Sequence, residues 1–101
     1  SRFSARAERL ADRLHAETGL TVHRPEAGMF AMIDVSATGM DGDAYAMDLL
    51  ENGGVAVMPG SSFGESLKTW VRVALTIEDA GFDKALDRIV AHAAQKAQEV
   101  A

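Results

Sequence analysis

From Trp70 to Leu75 the chain reads Trp-Val-Arg-Val-Ala-Leu, and this alternation restricts the fold more than any other stretch. Successive side chains of an extended strand point to opposite faces, so Val71, Val73 and Leu75 share one face and Trp70, Arg72 and Ala74 the other. The valine face is the natural core face. Arg72 therefore stands on the opposite side, next to an indole, and is the residue with the strongest claim to a function. Upstream, Val55-Ala56-Val57-Met58 is too short and too β-branched for a helix and reads as a buried strand. Pro59 is expected to stop it, because proline has no N–H for the ladder. Gly60, Ser61, Ser62 and Gly64 then let the backbone turn and leave amides and hydroxyls available.

The remaining elements follow from periodicity. Phe3, Ala7, Leu10, Ala11 and Leu14 recur at helical spacing, which predicts an amphipathic helix over about residues 2–17 that ends near Thr18-Gly19. Arg2, Arg6, Arg9 and Arg13 line one flank of it, read as a solvated or inter-domain flank partly neutralised by Glu8 and Asp12. Leu20 to His23 is a short β-prone piece ended by Arg24-Pro25. After Gly28, residues 29–35 read as a strand with Met29, Ala31, Ile33 and Val35 on one face and Phe30, Met32 and Asp34 on the other. Asp41 is placed to cap a helix over about residues 42–52, with Tyr45, Ala46, Leu49 and Leu50 as its apolar face, and Asn52-Gly53-Gly54 is its stop. Thr76 can cap the last helix, in which Phe82, Ala85, Leu86, Ile89, Val90, Ala93 and Ala97 face one way. The order helix–strand–helix–strand–strand–helix gives an α+β fold, a small mostly antiparallel sheet with helices packed on one face.

With 101 residues and 48% hydrophobic content, the chain is expected to form a single globular domain. A net charge of −5 gives no general attraction to nucleic acid or to anionic lipid, so neither is an expected partner. No run reaches the roughly 18 apolar residues that span a bilayer, and no secretory h-region opens the chain; a cytoplasmic location is the expectation. There is no cysteine, hence no disulfide or thiolate zinc site. His15, His23 and His92 fall in separate elements without a carboxylate at ligand spacing, so no metal is expected. The Pro59–Gly64 loop lacks the Gly-Lys-Ser/Thr of a phosphate loop, and no Gly-x-Ser-x-Gly elbow activates a serine. The first residues already lie inside a helical pattern and carry no methionine, which suggests an upstream domain.

Four pieces occur together in order: Pro25-Glu26-Ala27-Gly28-Met29-Phe30, Thr38-Gly39-Met40-Asp41, Gly54 to Gly64 (GVAVMPGSSFG), and Val71-Arg72-Val73-Ala74. Their order and spacing resemble the C-terminal small domain of the class I/II, fold-type I aminotransferases, which use pyridoxal phosphate. The resemblance spans residues 1–101, treated as a single C-terminal domain whose large cofactor-binding partner domain lies upstream. It implies a homodimeric parent enzyme that transfers an amino group between an amino acid and a 2-oxo acid. It also implies that Arg72 grips the substrate α-carboxylate, that Phe30 contacts the substrate, and that the Pro59–Gly64 loop walls the active site. The approach to the arginine strand departs from the family: Glu65 to Trp70 lacks the usual glycine.

The resemblance places the Schiff-base lysine in the large domain. Lys68, Lys84 and Lys96 are the chain's only lysines and none has that context, so the chain alone is expected neither to hold the cofactor nor to catalyse transamination. An arginine suits the carboxylate role because its planar fork matches both oxygens, which lysine cannot do. Other readings remain open at this point. Arg72 could stack on Trp70 or pair with Asp34 across the sheet. The parent could be a fold-type I lyase, or the chain a stand-alone α+β module that binds a carboxylate metabolite.

Overall fold

The computed structural model describes residues 2–23, 29–76 and 79–100, without the side chains of Arg2 and Asp79. Helix α1 (Arg2–Thr18) leads into strand β1 (Thr21–His23) and then β2 (Phe30–Asp34). Helix α2 (Gly42–Asp48) runs on into a π turn (Leu49–Gly53), followed by the short strand β3 (Met58–Pro59). Two 3-10 turns, Gly60–Phe63 and Glu65–Leu67, join it to β4 (Trp70–Ala74), and α3 (Asp79–Glu99) closes the fold. The strands form one antiparallel sheet in the order β1-β2-β4-β3. This is the expected α+β architecture, with the sequence-based element order missing one strand.

The sheet has one dry face. Ala31, Ile33, Val71 and Val73 are buried there with Leu10 and Leu14 of α1 and with Phe82, Leu86 and Ile89 of α3. Burying a large aliphatic or aromatic side chain contributes roughly 1.5–3 kcal/mol, so this layer dominates the stability of the fold. The arginine flank of α1 serves the same packing. Arg6 is buried and donates to the Leu75 carbonyl at 2.6 Å, while Arg9 and Arg13 reach Asp83 and Asp87 of α3 at 2.5 and 2.6 Å. Those exposed pairs are worth at most about 1 kcal/mol each and act mainly to align the two helices.

Several expectations need correction. The strand does end at Pro59, but not because proline is left out of the ladder: Pro59 is its last residue and is paired with Val71, as Met58 is with Arg72. A proline is tolerated there because β3 is an edge strand whose outward side needs no partner. The run from Val55 is not a buried strand either, since Val55 is buried but Met58 is 45% exposed. Met29 lies outside β2 and is exposed. In the second helix Leu49 is buried but Leu50 is 52% exposed, because the π turn changes the helical pitch just where an α-helix would have kept both on the apolar face. Asp41 does cap α2, its carboxylate accepting from Ala44 N–H at 2.8 Å. Gly54 takes the left-handed conformation (φ 72°) that the stop requires. The Pro25–Gly28 motif and the junction between Thr76 and α3 fall outside the described residues.

Candidate functional site

Arg72 occupies β4, an inner strand paired through Met32 on one side and Met58 on the other. Its neighbours Val71 and Val73 are buried, so its own side chain emerges on the sheet face away from α1 and α3. The alternation therefore placed it correctly, but its surroundings differ from those expected. The rings against its guanidinium are Phe30, with the centroid 3.9 Å from Cζ, and Phe63, at 4.4 Å. Trp70 is not stacked on it, since side chains two apart on one strand stand well apart, whereas Phe30 approaches diagonally from β2 and Phe63 from the loop. Asp34 does not pair with it. That carboxylate accepts instead from the Ser36 N–H at 3.0 Å, and its register partner is Trp70.

A guanidinium has five N–H donors. Among the described residues none of Arg72's donors makes a hydrogen bond or an ion pair, and its Nε is buried without a partner. Beside it opens an apolar cleft of about 140 Å³ lined by Phe30, Ala56, Val57, Met58, Arg72 and Ala74. A fixed, unneutralised cation at the edge of apolar walls is suited to a small planar anion, above all a carboxylate. Phe30 and Arg72, the two sequence-predicted site residues, are thus brought together. Phe63 was missed as a site residue; its signal was its place inside the Gly/Ser loop, where a large apolar side chain has no core to enter.

The residues present do not form a cradle for pyridoxal phosphate. Lys68 is exposed and lies 3.7 Å from Glu65. Lys96, on α3, pairs with Asp48 of α2 at 3.4 Å and with Glu99 at 3.3 Å, and Lys84 is exposed on α3. None of them lines the cleft beside Arg72.

A larger depression, about 870 Å³, lies elsewhere, between the π turn and α3. On its wall His92 Nε2 meets Asp48 Oδ2 at 2.5 Å, a histidine–carboxylate contact between residues far apart in sequence that spacing did not show. Hydrogen bonding to His92, and then the charge of Lys96, hold the Asp48 carboxyl below its usual range. Among the described residues no group of three or more metal-ligating side chains forms there or anywhere else.

The comparisons with known proteins agree with one another. The model for aminotransferase class I and II matches residues 1–89. Arginine–pyruvate transaminase AruH of Pseudomonas aeruginosa is 33% identical over 93 residues, which are 92% of this chain and 24% of that protein. Aspartate aminotransferase of Pyrococcus horikoshii is 28% identical over 87 residues, 86% of this chain and 22% of that protein. The solved structure of N-succinyldiaminopimelate aminotransferase from Mycobacterium tuberculosis superposes with a TM-score of 0.74 at 30% identity, covering 89% of this chain and 24% of its own. The chain thus spans about a quarter of the length of these relatives. By sequence and by fold, it belongs to the class I and II aminotransferase family.

Proposed function

We propose that this chain is the C-terminal small domain of a pyridoxal-phosphate-dependent aminotransferase that moves an amino group between an amino acid and a 2-oxo acid, with Arg72 as the clamp for the substrate α-carboxylate. The observation that carries the reading is the state of Arg72: a guanidinium on the open sheet face, backed by two rings, beside a cleft, with no carboxylate against it among the described residues. A two-point grip on a carboxylate fixes the direction of the remaining bonds at Cα, which is how positioning accelerates a reaction at that carbon. Phe30 would touch the bound substrate, and the Pro59–Gly64 loop would form part of the wall.

In this reading the cofactor belongs to a large domain outside these residues, in a homodimer, and the enzyme is cytoplasmic. The family supports the cofactor; the three lysines, placed as they are, support its being held elsewhere. The test is steady-state kinetics on the full-length enzyme. Removing a buried, charged hydrogen-bonding partner costs about 2–5 kcal/mol, so Arg72→Ala should lower kcat/KM for amino-acid donors by at least about thirtyfold. An unchanged kcat/KM would remove the clamp. Product analysis tests the reaction class: the amino group should be recovered on the acceptor acid, whereas release of ammonia or CO₂ in its place would indicate lyase chemistry.

A further inference from the structure

Phe63 is a large apolar side chain left 46% exposed at the tip of a loop, yet its ring lies against a cation and its backbone is fastened on both sides. On one side, Gly60 is buried so closely under the chain that a Cβ there would run into the carbonyl oxygens of Leu67 and Trp70. Next to it, Ser61 Oγ donates to Asp43 of α2 at 2.6 Å. On the other side, Gly64 adopts φ 143°, a conformation that other residues rarely take, and its N–H bonds back to the Ser61 carbonyl. The loop is thus built to hold one ring in one place.

The second ring on the guanidinium, Phe30, comes from β2, where it is paired with Ala74 of β4. An arginine side chain has several rotatable bonds and no hydrogen bond within the described residues to choose among their rotamers. Ring contacts are what remains to choose. A cation over an aromatic face is attracted by the ring quadrupole, and the attraction strengthens where water is partly excluded.

We propose that Phe63 is a positioning residue for Arg72: its ring, delivered by the anchored Gly60–Gly64 loop, holds the guanidinium in the orientation that accepts a carboxylate. The inference rests on the clamp reading above and adds to it a second residue that acts only through the first. Losing the ring frees the side chain and weakens carboxylate binding without removing the charge.

The test uses the full-length enzyme and a probe that binds but cannot react, the saturated carboxylic acid matching the donor amino acid without its amino group. Its inhibition constant is measured for the native protein, Phe63→Leu, Phe63→Tyr, Arg72→Ala and the double variant Phe63→Leu/Arg72→Ala, with thermal midpoints as the folding control. The expected result is a weakening of about fivefold or more for Phe63→Leu, near-native binding for Phe63→Tyr, and no further loss when Phe63→Leu is added to Arg72→Ala. The proposal is overturned if Phe63→Leu binds like the native protein while Arg72→Ala does not, which leaves the clamp standing. It is also overturned if Phe63→Tyr weakens binding as much as Phe63→Leu, or if Phe63→Leu costs the same in both backgrounds. If Arg72→Ala itself binds the probe as the native protein does, the clamp reading fails first.

Discussion

A lysine at position 72 would keep the charge and lose the fork. The ammonium is a point donor that cannot face both oxygens of a carboxylate in one plane, and it lies less well against Phe30 and Phe63. Arg72→Lys in the full-length enzyme should therefore fold normally and lose about 10–100-fold in kcat/KM, the range for a hydrogen bond to a charged group. Steady-state kinetics with an amino-acid donor checks it. Tyr45 poses the opposite case. It is 1% exposed, its hydroxyl has no partner among the described residues, and its ring meets His92 edge-on at 4.9 Å. Burial, and then the charge of Asp48, drive its phenol well above the usual range. Tyr45→Phe removes the unpaired oxygen and keeps the packing, so its unfolding free energy should be unchanged or raised by about 1 kcal/mol in denaturant titration. A loss larger than that would show that the hydroxyl is held.

Helix α2 and its π turn are joined to α3 through Asp48, which meets His92 and Lys96. Because the folded-state pKa of Asp48 is depressed, its stabilising contribution is full above the ordinary carboxylate range and fades as pH falls through the lowered value. Asp48→Asn should accordingly be less stable than the native protein at about pH 7, with the gap narrowing towards about pH 3. Urea titrations at the two pH values measure it, and a gap independent of pH would mean that the carboxylate charge is not what joins the helices. The loop before β4 is governed by space instead of charge. Gly60→Ala must push aside two backbone carbonyls, which should cost about 1–3 kcal/mol of stability and displace Phe63 as well. Thermal unfolding together with carboxylate binding reports both effects.

For the molecule as a whole, the strongly periodic parts were legible in the sequence and the close-quarters parts were not. The two-residue period of Trp70 to Leu75 gave the correct face for Arg72, and the helical stripes of α1 and α3 gave the core. Asp41 announced the start of α2 and Gly54 the end of the π turn that continues it, because caps depend on a single residue's chemistry. Leu50 was misassigned, since the widening of a helix into a π turn leaves no periodic trace over one turn. The pairing of Pro59 with Val71 depended on which strand became the edge, a property of topology that local propensity does not carry. Within the site, Arg72 and Phe30 came from alternation and resemblance. Phe63 and the Asp48–His92 contact needed the chain folded: the first depends on the path of the loop before β4, the second on residues 44 apart in sequence.

The sheet order has one mechanical consequence. Arg72 rides on a strand stitched along both flanks, so its Cα has no freedom to drift towards a ligand alone. Under the proposed clamp role, coarse adjustment of the grip would have to come from carrying the entire slab, helices included, as one stiff plate. Only the last few bonds of the side chain are left for fine tuning.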